Sequence, residues 1–258
     1  MKLSTTIKKT FFILIITVLS ASAQDKNSSK TLFFAGNINL TNNGFSFIPL
    51  FSLGKPATTV NLSVGGKRLS FDSQLRFDLD GMRPWSFLFG WNYRLVQNKK
   101  FNVRLGSFFP AYAFNNLEYT RESKNINVLT PQRYFIWNVF MSYNFSDKIN
   151  VGIYYLNGRG LEKIDQTKSG NFISLRLFAN RINISKSIYL NLNPEFYFLK
   201  IDNNDGFYLA NTFSLHHLKI PVFFSSTINK AINSNLNAKA FDWNIGLNYK
   251  FRSSFKKI

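Results

Sequence analysis

Phe241-Asp242-Trp243-Asn244-Ile245-Gly246-Leu247-Asn248-Tyr249-Lys250-Phe251 is the stretch whose reading decides the fold. Its odd positions are all large and apolar or aromatic, and its even positions are polar or small. A period of two over this length is a β-strand with two chemically opposed faces. The length is also that of a strand crossing a bilayer at a tilt. The same alternation recurs through Trp85, Phe87, Phe89, Trp91, Tyr93 and Leu95, and again through Phe135, Trp137, Val139, Met141, Tyr143 and Phe145.

Residues 1–23 read as a secretory signal. Lys2, Lys8 and Lys9 form a basic start, Phe11–Leu19 is an apolar run too short to span a bilayer as a helix, and Ala21-Ser22-Ala23 is a cleavage site of the A-x-A kind. Residues 24–258 form the second unit. The chain of 258 residues carries a formal charge of +19, and removing the three leader lysines leaves about +16. There is no Cys, which excludes disulfides and thiolate metal sites. Asp, Glu, Lys and Arg make up 17 %, below the ~25 % of soluble domains, while Phe, Trp and Tyr also reach 17 %. That balance suits a protein whose outer wall meets lipid. With no segment apolar enough for a spanning helix, the spanning structure has to be a closed barrel.

Thirteen strand-like runs can be marked between Thr31 and Phe251, whereas an even number is expected. The run Phe45–Leu53 carries Phe45, Phe47, Phe51 and Leu53 in phase. After Gly65-Gly66 the phase shifts by one residue, which either a hairpin or a β-bulge produces. Fusing Thr58–Leu79 across a bulge gives twelve strands, as does setting Thr31–Leu40 aside as an arm; the fusion is preferred because the N-terminus then starts in the periplasm. Long polar loops are expected at Asn115–Pro131, Asn157–Gly170 and Ala231–Ala240, alternating with short turns at Gln97–Lys99, Ser146–Lys148, Ile184–Ser187 and Leu218-Lys219.

The whole mature chain resembles Gram-negative outer-membrane β-barrel proteins of the small porin-like kind. The signal segment, the two alternating runs above and the terminal strand Phe241–Phe251 carry the resemblance. That last strand is similar to the C-terminal signal read by barrel-assembly machinery, although here Arg252–Ile258 follow it. The resemblance implies an all-β, antiparallel transmembrane barrel of about twelve strands in the cell outer membrane. Outer-membrane lipid, lipopolysaccharide and the assembly machinery are its implied partners.

If the aromatic face meets lipid, the other face lines the lumen. An Arg at the lipid midplane costs roughly 2–4 kcal/mol, so the strand arginines belong inside. Arg76, Arg94, Arg104 and Arg176 then form a basic ladder that favours anions. The opposing reading pairs them with Asp72, Asp78, Glu195 and Asp242 in a filled barrel. The expected function is passive, porin-like passage of small, anionic solutes; the alternatives are a non-conducting surface barrel acting through its loops and a lipid-modifying enzyme. His216 and His217, the only histidines, lie near Ser214 and Ser225, but beside a periplasmic turn and without a lipase motif. No catalytic residue, metal site or cofactor is expected, and the spread-out basic residues carry no nucleic-acid motif. Trp85, Trp91, Trp137 and Trp243 are expected in interfacial aromatic belts.

Overall fold

The computed structural model describes residues 31–121, 124–162 and 167–256. The signal segment 1–23 lies outside the described residues. Twelve strands follow one another: β1 (Thr31–Thr41), β2 (Ala57–Gly65), β3 (Leu69–Asp78), β4 (Pro84–Gln97), β5 (Phe101–Arg121), β6 (Lys124–Asn144), β7 (Ile149–Gly160), β8 (Ser169–Asn183), β9 (Ile188–Ile201), β10 (Asn204–His217), β11 (Val222–Ser234) and β12 (Phe241–Lys256). Each is antiparallel to its neighbours in the chain, and β12 returns to β1. Closure satisfies the backbone amides and carbonyls of both terminal strands, which leaves no edge for lipid to meet.

Large apolar side chains of one phase point outward. Trp91, Trp137, Trp243, Ile245 and Leu247 are all exposed, as are Ile153, Ile173 and Leu175 on the opposite wall. A water-soluble barrel would turn this phase inward. Here it forms the lipid-facing belt of a transmembrane barrel. The edge that holds both termini is the periplasmic one by the topology of such barrels. The opposite edge carries the loop 42–56 and the tall hairpin of β5 and β6, each 21 residues long.

Several expectations change. Gly65-Gly66 is a hairpin and not a bulge inside one fused strand: Gly65 pairs with Ser70, and the Gly66 amide donates to the Leu69 carbonyl at 2.8 Å. A Cβ on Gly65 would stand 2.5 Å from that same carbonyl oxygen, so the turn closes only without a side chain there. Thr31–Thr41 is a full barrel strand. The surplus run is Phe45–Leu53, which joins no wall. The supposed loop Asn115–Pro131 is largely strand, paired from Asn115↔Thr130 to Arg121↔Lys124 and standing above the belt as a ribbon. Strands β7 and β8 likewise take up both ends of Asn157–Gly170, through Gly160 and from Ser169, and β11 extends through Ser234. At the other end Arg252–Lys256 continue β12, with Phe255 opposite Leu32 on β1.

Candidate functional site: a lumen divided by an inward-folded loop

The β1–β2 connection turns into the barrel. It closes on itself as a small hairpin in which the Ser46 amide donates to the Phe51 carbonyl at 2.8 Å and the Leu53 amide to the Gly44 carbonyl at 2.8 Å. Phe45 and Ser52 form an isolated bridge. Asp242 at the outer end of β12 fastens its base. One carboxylate oxygen accepts from Asn43 Nδ2 at 2.9 Å and the other accepts the Ser52 hydroxyl. Asn43 Oδ1 in turn accepts the Gly54 amide at 2.9 Å. The tip carries Ile48 and Leu50 into a cluster of Tyr154, Phe172, Tyr197 and Tyr208 on β7–β10. Burying each of these two aliphatic side chains contributes about 1.5–3 kcal/mol, so the tip is held against the wall by apolar contact and the base by hydrogen bonds.

The loop divides the lumen. Towards the outside lies a cavity of about 330 Å³ lined by Phe47, Ile48, Phe51, Trp85, Leu88 and Tyr112, with Ser46 and Ser86 among its polar groups. Trp85 therefore does not belong to the outer belt. The register between β3 and β4 shifts between Arg76 and Phe77, so Ser86 faces Arg76 while Pro84 faces Phe77. The irregularity leaves Trp85 unpaired, and its ring comes against the loop: a Cβ on Gly44 would lie 3.2 Å from it. On the periplasmic side of the loop lies a second cavity of about 440 Å³, lined by Asn37, Asp72, Asn92, Arg104, Asn138 and Tyr154 among others. The Phe47 and Phe108 rings, 5.7 Å apart, stand where the two chambers adjoin.

The eight candidate lumen residues divide by environment. Arg176 is paired: its Nε donates to Glu195 Oε1 at 2.7 Å, and its guanidinium lies 4.6 Å from the Tyr154 ring centroid. Arg94 donates to the carbonyls of Gly66 and Lys67 at 3.1 and 2.8 Å, which ties β4 to the periplasmic β2–β3 turn. Asp72 accepts from Ser63, Ser70 and Asn92, and Asp78 accepts the Arg83 amide at 3.1 Å. Asp242 is the loop's anchor. Arg76 is buried, with Nη2 donating to Gln74 Oε1 at 2.7 Å and Nη1 to Ser86 Oγ at 3.2 Å. Arg104 differs from all of these. It is exposed to the inner chamber, its guanidinium lies 5.3 Å from the Phe140 ring centroid, and Asp72, which lines the same chamber, is not within ion-pair distance. At the outer rim, Arg133 Nε donates to Glu162 Oε1 at 2.7 Å, and this hydrogen bond holds the exposed Glu162 carboxyl below its usual range.

Ser214 Oγ and His216 Nε2 are 2.8 Å apart. The imidazole is sandwiched between Tyr189 and Phe223, with ring centroids at 4.9 and 4.2 Å. Its Nδ1 is buried and has no hydrogen-bond partner, so no carboxylate orients the ring as a hydrolytic triad requires. The pair packs the periplasmic end of β10. The interior aromatic cluster was not anticipated from the sequence; the available signal was the doubly apolar stretches Tyr154-Tyr155-Leu156 and Phe196–Leu199, in which both phases avoid polar residues.

The architecture is that of outer-membrane porins. It is similar to the KdgM porin, with a TM-score of 0.52 and 9 % identity, the match covering 84 % of this chain and 99 % of that one. It is also similar to the NanC porin, with a TM-score of 0.51 and 11 % identity over 86 % of this chain and 100 % of that one. At these identities the likeness is one of fold. No protein-family model and no curated protein matches the sequence.

Proposed function

We propose that the barrel passes small anionic solutes across the outer membrane by diffusion, with Arg104 as the group that favours anions. The single observation that supports this reading is the Arg104 guanidinium, which faces a chamber of about 440 Å³ without a carboxylate partner. A cation free of a direct ion pair in a narrow aqueous space, with Asp72 already engaged by Ser63, Ser70 and Asn92, raises the local concentration of anions. Of the other three arginines of the sequence-based ladder, Arg176 is paired with Glu195, Arg94 closes a turn and Arg76 is buried in the wall, so Arg104 is the one that faces the inner chamber. The fold supports passage over catalysis, because the one Ser–His contact among the described residues lacks an orienting acid.

Planar-bilayer recording under a KCl gradient tests this. A unit charge at about 4 Å in water is worth about 1 kcal/mol, or roughly fivefold in a permeability ratio. Arg104→Gln is therefore expected to lower the chloride-to-potassium ratio about fivefold, and Arg104→Glu to reverse the preference. A purified, folded barrel that shows no conductance in the bilayer would leave the structural, non-conducting reading in its place.

A further inference from the structure

Behind the wall of the outer chamber lies a cation with no counter-charge within ion-pair distance. Arg76 is 3 % exposed, its Nε is buried without a hydrogen-bond partner, and no Asp or Glu among the described residues lies within ion-pair distance of it. Burying a guanidinium without an anion is costly, and its two hydrogen bonds go to neutral oxygens, Gln74 Oε1 and Ser86 Oγ. Its charge is directed towards the chamber by way of Ser86, which lines it. Because Ser86 Oγ accepts from Arg76 Nη1, its own hydroxyl hydrogen is free to donate, and the cation behind makes it a stronger donor. Beside Ser86, the Trp85 ring lies 6.0 Å from the guanidinium and forms part of a wall that includes Phe47 and Phe51.

A flat apolar wall next to a polarised donor with an unspent positive charge defines a two-part ligand. We propose that the outer chamber is a binding subsite for small aromatic carboxylates. The ring lies among Phe47, Phe51 and Trp85, and the carboxylate accepts from the Ser86 hydroxyl with Arg76 behind it. A cavity of about 330 Å³ suffices for a one- or two-ring solute, since a dry apolar cavity of about 150 Å³ already takes up benzene. The inference rests on the anion-passage reading for its biological setting, because it names the solute class that the inner chamber would then receive.

The test uses Trp85 as reporter. Trp91, Trp137 and Trp243 point outward, so replacing all three with Phe leaves one tryptophan, in the chamber. Quenching of the intact reconstituted barrel by 4-nitrobenzoate is expected to saturate, with an affinity about tenfold above that of nitrobenzene, the margin of a hydrogen bond to a charged group. Ser86→Ala is expected to remove most of that margin. Calorimetric titration of benzoate into the unmodified barrel gives the same comparison without the tryptophan replacements. Quenching that rises linearly without saturating, or equal affinity for nitrobenzene, overturns the proposal. Both readouts measure binding and not current. A conducting barrel that fails them keeps the passage reading and loses this one, whereas saturable, carboxylate-dependent quenching in a non-conducting barrel does the reverse.

Discussion

Asp242, at the start of the last strand, accepts a hydrogen bond from Asn43, at the end of the first connection, and through it the inward loop is tied to the seam where the barrel closes. Ser52 donates to the other oxygen of the same carboxylate. One acid thus serves both legs of the loop. The residue first read as a lumen charge is a structural clamp, and the 199-residue separation of the pair couples loop position to barrel closure.

Asp242→Ala removes both acceptors at once. Leaving a buried donor without its partner costs about 1–3 kcal/mol, enough to raise the population of the undocked loop roughly 5- to 150-fold. The expected outcome is faster chymotryptic cleavage after Phe51, the Phe51–Ser52 bond of the loop, in the intact barrel, with the barrel itself still folded, and greater current noise in bilayer recordings. An unchanged cleavage rate would show that Ile48 and Leu50 hold the loop without the clamp.

The Phe47–Phe108 contact gives a second prediction. These rings stand where the two chambers adjoin, and Phe47 comes from the loop while Phe108 comes from β5. Phe47→Ala removes the loop's half of the contact without touching a charged group. Single-channel conductance is expected to rise while ion preference stays as it was, because Arg104 is untouched. A conductance equal to that of the unmodified barrel would mean that the narrowest point lies elsewhere.

The Arg176–Glu195 pair supplies a third. Its side chains are 22 % and 12 % exposed, and the guanidinium also covers Tyr154. Removing one partner of such a pair leaves a charge poorly solvated, at a cost of about 3–5 kcal/mol when burial is complete and less here. Arg176→Gln, which strands Glu195, is expected to lower the thermal stability of the reconstituted barrel. Glu195→Gln frees a second cation beside Arg104 and is expected to raise the chloride preference, a gain that reversal potentials in a salt gradient measure directly.

Much of the wall was legible because lipid demands a strict alternation, and Phe241–Phe251 and Phe135–Phe145 obey it. The interior was harder to read for the same reason. Phe45–Leu53 alternates as a wall strand does, yet Pro49 lies within it and Gly44 and Gly54 flank it, marks of a segment that cannot take part in a continuous ladder. Its apolar residues face a second apolar surface inside the barrel, and that is why Tyr154, Phe172 and Tyr197 break the polar phase of their strands. Parity counting failed at Trp85 because the irregularity between β3 and β4 changes which side a residue takes, and no residue type announces it. The charge pairings were beyond reach: Arg76, Arg94, Arg104 and Arg176 share one phase, and only the register between strands decides which of them meets a carboxylate.

The tryptophans offer the most direct check on that register. Three of the four, Trp91, Trp137 and Trp243, are between 39 % and 51 % exposed on the outer face, while Trp85 lines the outer chamber. Quenchers carried on lipid acyl chains reach only side chains in the belt, whereas a water-soluble quencher enters from the outer mouth. In bilayers of brominated lipid, a variant retaining only Trp91, Trp137 or Trp243 is expected to lose much of its emission. The variant retaining only Trp85 is expected to keep its emission in that lipid and lose it to aqueous iodide. Strong lipid quenching of Trp85 would return it to the belt, restore an unbroken register between β3 and β4, and remove the aromatic wall from the outer chamber.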